Sequence, residues 1–124
     1  MKSKTFYKYL FIIWVILLFT LTSIPSLNIP SHKIVGTDKL AHFTFYLIFA
    51  FLYVKRSNIT KLARTVNKLS LMALSIPLID ELHQIPIQGR NFSIYDILAD
   101  ILGFFVIIVI LKIKLLKSTN LVKS

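Results

Sequence analysis

Apolar residues gather into four long segments of this chain, separated by short stretches that carry most of the charged side chains. Each segment is close to the ~20 residues that cross a hydrocarbon core of ~30 Å as a helix. The pattern predicts a single domain over residues 1–124, an all-α integral membrane four-helix bundle. The predicted spans are residues 9–24, 38–54, 69–85 and 94–116. The second and third are short, so either their polar ends lie near the membrane interface or the bilayer thins locally.

Composition supports a membrane protein and excludes several other classes. Hydrophobic residues make up 56% of the 124 residues, and the mean hydropathy is +0.74, which is high for a soluble domain. The net charge of +10 arises from lysines and arginines that flank apolar segments, so no nucleic-acid partner is expected. Because the chain has no cysteine, disulfides, thiolate metal sites and a cysteine nucleophile are excluded.

The first apolar segment follows three lysines, as it would in a secretory signal peptide. The chain continues Thr22-Ser23-Ile24-Pro25 without a small-x-small cleavage site, which favours a retained first helix. Pro25 and Pro30 predict a connector after this helix. Thr37 is then the expected N-cap of a helix that opens at Asp38.

Basic residues lie mainly at one predicted end of the spans, which sets the expected orientation. Twelve of the 15 precede the first span, join the second to the third or follow the fourth, whereas Lys33, Lys39 and Arg90 lie at the other end. The positive-inside rule therefore places both termini, and residues 57–67, in the cytoplasm of a bacterial cell. The twelve are Lys2, Lys4, Lys8, Lys55, Arg56, Lys61, Arg64, Lys68, Lys112, Lys114, Lys117 and Lys123.

All acidic residues and all histidines fall in two short windows, at the predicted outer ends of the spans. They are Asp38, Asp80, Glu81, Asp96, Asp100, His32, His42 and His83. Ionisable side chains are costly at such places, so they form a functional-site hypothesis by default.

The second span places Asp38, His42 and Tyr46 on one stripe at successive four-residue steps. Asp38 is equally explained as an acid that stabilises a helix N-terminus. His42 lies about a turn deeper and needs a polar partner, so it is predicted to contact a carboxylate of the third or fourth helix.

The third span ends in the polar run Asp80-Glu81-Leu82-His83-Gln84, with Pro77 one turn before it. Pro77 is expected to kink the helix and free a backbone carbonyl. Asp80 and Gln84 share a face. Glu81 and His83 have the simpler reading of exposure at the interface, and that reading is preferred for His83.

The fourth span follows a loop that contains Arg90, and Ser93-x-x-Asp96 has the spacing of a capping box, which would make Asp96 structural. Asp100 is one turn deeper and needs a proton, a cation or a basic partner. Gly103 shares its face and would let another helix approach closely.

These residues can converge in the outer leaflet, where carboxylates outnumber cations. The surplus predicts carboxyl groups that keep their protons, a bound divalent cation, or both. Asp80, Glu81, Asp96 and Asp100 are the candidate ligands for the cation. His42 and Asp38 are candidates for a general base and its orienter, joined by Asp80, Glu81, Gln84 and Asp96 in the candidate catalytic site. Arg90 and Tyr46 are candidates for binding a phosphate or carboxylate.

At these positions the chain resembles the VanZ-like family of small bacterial membrane proteins, named for a member associated with teicoplanin resistance. The matching motifs are Asp38-Lys39-x-x-His42-Phe43-x-x-Tyr46, Asp80-Glu81-Leu82-His83-Gln84, and Gly89-Arg90-x-x-Ser93-x-x-Asp96 with Gly103. The family usually has Asn where this chain has Asp100. The resemblance implies a cell-envelope context and no particular reaction.

The sequence is compatible with three functions. The protein acts as an enzyme on an envelope lipid or lipid-linked precursor, or it binds such a lipid or a glycopeptide without chemistry, as a partner of envelope machinery would. A proton- or cation-coupled transporter is disfavoured because the cytoplasmic halves of the first three spans carry no acid. The bilayer is the one partner expected in every case.

Overall fold

The computed structural model of this protein describes residues 2–25, 36–57 and 61–123. They form four helices: α1 (Lys2–Thr22), α2 (Thr37–Arg56), α3 (Leu62–Gln84) and α4 (Ile94–Lys123). The predicted all-helical, four-helix architecture is confirmed. Pro30, His32 and Lys33 of the first connector lie outside the described residues.

The helices extend beyond the predicted apolar segments. α3 begins at Leu62, because Thr65, Val66 and Leu69 form a buried face among polar neighbours. α4 continues past residue 116 to Lys123, since lysine is a good helix former. α3 also continues through Pro77 as one helix. The apolar segments predicted the position of each helix. The predicted lengths were too short, because charged residues lie near the helix ends.

α2 begins one residue differently from the prediction. Thr37 is the first helical residue, and the N-cap is Gly36, with φ of 102° in the left-handed region. Glycine adopts this conformation without steric cost, so it turns the chain into the helix without a side-chain cap. The expectation that Thr37 is the N-cap was wrong for this reason.

Three of the four helices are long and apolar enough to cross a membrane, over Ser3–Thr22, Leu62–Gln84 and Ile94–Thr119. α2 is not among them, because charged residues occupy both of its ends, with Asp38 in the first turn and Lys55 and Arg56 in the last. Much of the apolar surface of α1 is exposed, as expected for side chains that face lipid.

α2 and α4 form the most extensive helix pair, with α1 packed on α2 and α3 packed on α4. Gly103 allows the close approach that the sequence predicted: a Cβ there would lie 2.5 Å from Phe43 O and 2.7 Å from Leu47 N. Beside it, Tyr46 and Phe49 pack their rings against Phe104 at centroid distances of 5.7 and 5.5 Å. This contact brings the polar stripe of α2 against the first turns of α4.

Candidate functional site

His42 on α2 lies between two carboxylates of α4. Its Nδ1 is 3.0 Å from Asp100 Oδ1, and its Nε2 is 3.9 Å from Asp96 Oδ2. The prediction that His42 contacts a carboxylate of the third or fourth helix is confirmed. An imidazole held by one carboxylate and facing another can take up or release a proton at Nε2, as general acid–base catalysis requires.

Lys39 binds the same side of α4. Its Nζ forms ion pairs with Asp96 and with Asp38, the latter at 3.1 Å. Asp38, the candidate orienter of His42, thus pairs with Lys39. The carboxylate hydrogen-bonded to His42 Nδ1 is Asp100. From the sequence, Lys39 was predicted only as a cation of the outer side. Its position next to Asp38 in the first turn of α2 was the signal that it could pair with carboxylates at this site.

α3 contributes two buried carboxylates to the site around His42. Tyr46 donates its hydroxyl to Asp80 Oδ2 at 2.9 Å, which links α2 to α3. Glu81 Oε2 accepts the backbone N–H of Ser93 at 2.8 Å, which links α3 to the start of α4. Glu81 is only 1% exposed, so the reading of Glu81 as an exposed interfacial acid was wrong.

The predicted capping box forms only in part. Ser93 Oγ accepts the backbone N–H of Asp96 at 3.3 Å, as an N-cap should. In a complete capping box, the carboxylate at Asp96 would accept the N–H of Ser93 in return. Glu81 accepts that N–H instead, which leaves the Asp96 carboxylate to Lys39 and His42. Glu81 of α3 therefore has the structural role that the sequence predicted for Asp96.

Carboxylates dominate the interior of this polar cluster, defined as Lys39, His42, Tyr46, Asp80, Glu81, Gln84, Asp96 and Asp100. Its four acids are all buried, and Asp80 and Asp100 are fully so. Four side-chain atoms have no hydrogen-bond partner in the described part of the chain: Asp80 Oδ1, Glu81 Oε1, Gln84 Nε2 and Asp100 Oδ2. A buried polar atom without a partner costs about 1 to 3 kcal/mol, more if charged. A group of such atoms therefore points to a proton, a cation or a ligand.

A cavity of about 140 Å³ lies beside the cluster, between α1 and α2. Its wall includes Asp38, His42, Tyr46 and Arg90, together with apolar side chains of α1. Arg90 donates Nη2 to Leu21 O at 3.3 Å and Nε to Ile24 O at 3.4 Å. The guanidinium has five N–H donors, so it keeps others for an anion while it ties the loop to the end of α1.

Not every predicted ligand lies where a cation could use it. His42, Glu81 and Asp96 each offer a ligand atom within 4.8 Å of the others. Of the four acids predicted to hold a cation, Asp80 instead bonds to Tyr46 and Asp100 to His42. A nitrogen and two oxygens would suit a transition-metal ion better than calcium, which takes oxygen ligands.

His83 stands apart from the polar cluster. It is exposed, with Nε2 hydrogen-bonded to Ser23 Oγ at 2.9 Å and the ring against Phe19. The preferred reading of His83 as an exposed interfacial residue is confirmed.

Comparison with known families agrees with the arrangement of these motifs. The family model described as VanZ/LLP1 matches residues 4–116, which is nearly the whole chain. No curated protein and no solved structure gives a significant match.

Proposed function

Because the chain belongs to the VanZ/LLP1 family, we propose that its polar cluster binds and acts on the charged head group of a cell-envelope lipid. A lipid-linked precursor presents the same chemistry. The observation that carries the proposal is the set of four buried polar atoms that have no partner among the described residues. They belong to the polar cluster, and its members His42 and Tyr46 line the cavity. An apolar wall from α1 would suit a lipid chain, and the polar wall would suit its head group.

Each residue has a separate task in this proposal. Arg90 attracts a phosphate or carboxylate to the cavity, and Tyr46 lines the same cavity. His42 exchanges a proton with the bound group through Nε2, while Asp100 orients the ring through Nδ1. Asn, the usual family residue at position 100, would also accept this hydrogen bond.

A scaffold role is the second candidate function. Hydrogen bonds from Tyr46 to Asp80 and from Ser93 to Glu81 join α2, α3 and α4, as a purely structural network would. The two roles predict different results for a variant that loses the His42 ring but keeps the hydrogen bonds between the helices: the first predicts loss of activity, the second does not. His42→Asn removes the ring and keeps a donor to Asp100, so it separates the two roles.

Arg90 tests the binding of an anion. Arg90→Ala is expected to reduce teicoplanin resistance, or turnover of an envelope lipid, about tenfold to a hundredfold, as for loss of one or two charge-assisted hydrogen bonds. Arg90→Lys keeps the charge but not the planar fork, so we expect a smaller loss. Abundance should stay near wild type, because the hydrogen bonds from Arg90 to Leu21 O and Ile24 O are long.

Lys112→Ala is the matched control for Arg90, because it removes an exposed cation from the far part of α4. Full activity of both Arg90 variants at normal abundance would remove Arg90 from the binding site.

The proposed orientation has both termini in the cytoplasm of a bacterial cell and the polar cluster toward the outside. Gln88→Cys, before α4, should react with a membrane-impermeant maleimide added to intact cells, whereas Thr119→Cys, near its other end, should react only after lysis. The native chain has no cysteine, so each label reports one position. The opposite pattern would place the polar cluster on the cytoplasmic side and contradict the proposed substrate.

A divalent cation at this site competes with the proton-exchange role of His42, because Asp100 occupies Nδ1 and a metal-bound Nε2 cannot also exchange a proton. We expect manganese or zinc to bind the purified protein through His42, Glu81 and Asp96, and Glu81→Gln to weaken this binding about tenfold or more. Calorimetric titration with each metal measures the affinity. Asp38→Asn is the control, since Asp38 is outside this group of three. Equal affinity of the Glu81→Gln variant and the wild type would show that the ion binds elsewhere.

A further inference from the structure

A large cavity lies at the opposite end of the molecule from the polar cluster. It is a groove of about 1000 Å³ between the end of α2, the start of α3 and the second half of α4. Along α2, His42 and Lys55 are separated by roughly 20 Å, at the helical rise of about 1.5 Å per residue. The groove is therefore a separate surface, and neither its chemistry nor its test depends on the proposed function.

The floor of the groove is apolar. Phe51 and Val54 of α2, Leu62 of α3, and Ile107, Ile110 and Leu111 of α4 form most of it. On α4 the lining extends from Ile107 to Ser118, a length of roughly 16 Å at the helical rise. This length is suited to a hydrocarbon chain laid along the helix, and much of the floor would otherwise face solvent or lipid.

Four cations stand around this apolar floor: Lys55, Lys61, Arg64 and Lys114. Lys55 Nζ is held over the ring of Phe51 at 5.4 Å, which keeps one charge at the wall of the groove. All five acidic residues of the chain lie at residues 38, 80, 81, 96 and 100. Among the described residues, every ion pair involves Lys39 or His42, so none neutralises the rim.

We infer that this groove binds an anionic phospholipid, with its phosphate among the four cations and an acyl chain along α4. The combination of charge and apolar length selects this ligand. A water-soluble anion would leave the apolar floor uncovered, and a neutral lipid would leave the cations without a counter-charge. Basic residues at a membrane surface attract anionic lipids in the same way, but here they are arranged around a preformed apolar groove.

The test measures retention of phosphatidylglycerol and phosphatidylcholine by the purified full-length protein, using native mass spectrometry. The wild type should retain phosphatidylglycerol in preference. The double variant Lys61→Gln/Arg64→Gln should lose about fivefold in affinity for each cation removed. Lys112→Gln/Lys117→Gln is the matched control, because it removes the same charge from exposed positions of α4 outside the lining. Equal losses in the two double variants would show general surface attraction and overturn the site.

A second variant tests the acyl chain without changing charge. Ile110 is half-exposed in the groove, so Ile110→Trp should fill the floor without disturbing the core and lower phosphatidylglycerol retention severalfold. Thermal melting of each variant confirms that it is folded. Unchanged retention in Ile110→Trp would overturn the groove as the lipid site. So would a dimer of the wild type that Ile110→Trp dissociates, because a second chain would then occupy the groove.

Discussion

Gly103→Ala is expected to deplete the folded protein, although alanine is the better helix former. Its Cβ would lie 2.5 Å from Phe43 O and 2.7 Å from Leu47 N, and both are backbone atoms of α2. A backbone cannot rotate away as a side chain can, so α2 and α4 must separate. Overpacking of this kind costs about 1 to 3 kcal/mol, against a gain of about 0.5 to 1 kcal/mol in helix propensity.

Thermal melting of the purified protein measures this effect, and we expect a decrease of about 5 °C or more. Leu102→Ala is the neighbouring control. Leu102 is 55% exposed, so its truncation should change the melting temperature little. If Gly103→Ala melted at or above the wild-type temperature, the close helix contact would not contribute to stability.

Separation of α2 from α4 should also disrupt the polar cluster, because His42 and its two carboxylate partners lie on opposite sides of this contact. The contact at Gly103 is therefore a condition for the site as well as for the fold.

His42→Asn is expected to abolish activity while the protein stays folded. The Asn side-chain amide can donate to Asp100 in place of Nδ1, but it cannot exchange a proton at neutral pH. If His42 is a general acid or base, its loss should lower activity about a hundredfold or more. The measurement is teicoplanin resistance, or turnover of an envelope lipid, at matched protein abundance.

Two further variants make this experiment decisive. His42→Ala leaves Asp100 buried without its partner, which should also destabilise the protein, by about 3 to 5 kcal/mol if a charge pair is broken. His83→Ala removes an exposed histidine from outside the cluster, and the activity of this variant should stay within about twofold of wild type. Full activity of His42→Asn would support the scaffold role.

Much of the fold follows from periodicity and charge alone. The four apolar segments identified four helices, and Gly103 marked a close helix contact before any packing was known. Their ends were less well predicted, because Lys117 and the polar residues after it end the apolar segment at residue 116 without ending the helix, which continues to Lys123. The hydrophobic pattern of a segment indicates which of its residues are buried. It does not show where a helix ends, because a charged helical turn can form with little burial.

The sequence by itself also determined which residues gather at one end, since carboxylates and histidines are excluded from lipid unless they find polar partners. Only the tertiary structure decided the pairings. Asp100, not Asp38, is hydrogen-bonded to His42 Nδ1, and Glu81 takes the Ser93 N–H that the capping pattern assigned to Asp96. These pairings depend on the rotation of each helix about its axis and on the separation of α2 and α4. Contacts between distant parts of the chain set both quantities, so residue spacing within one helix could not reveal them.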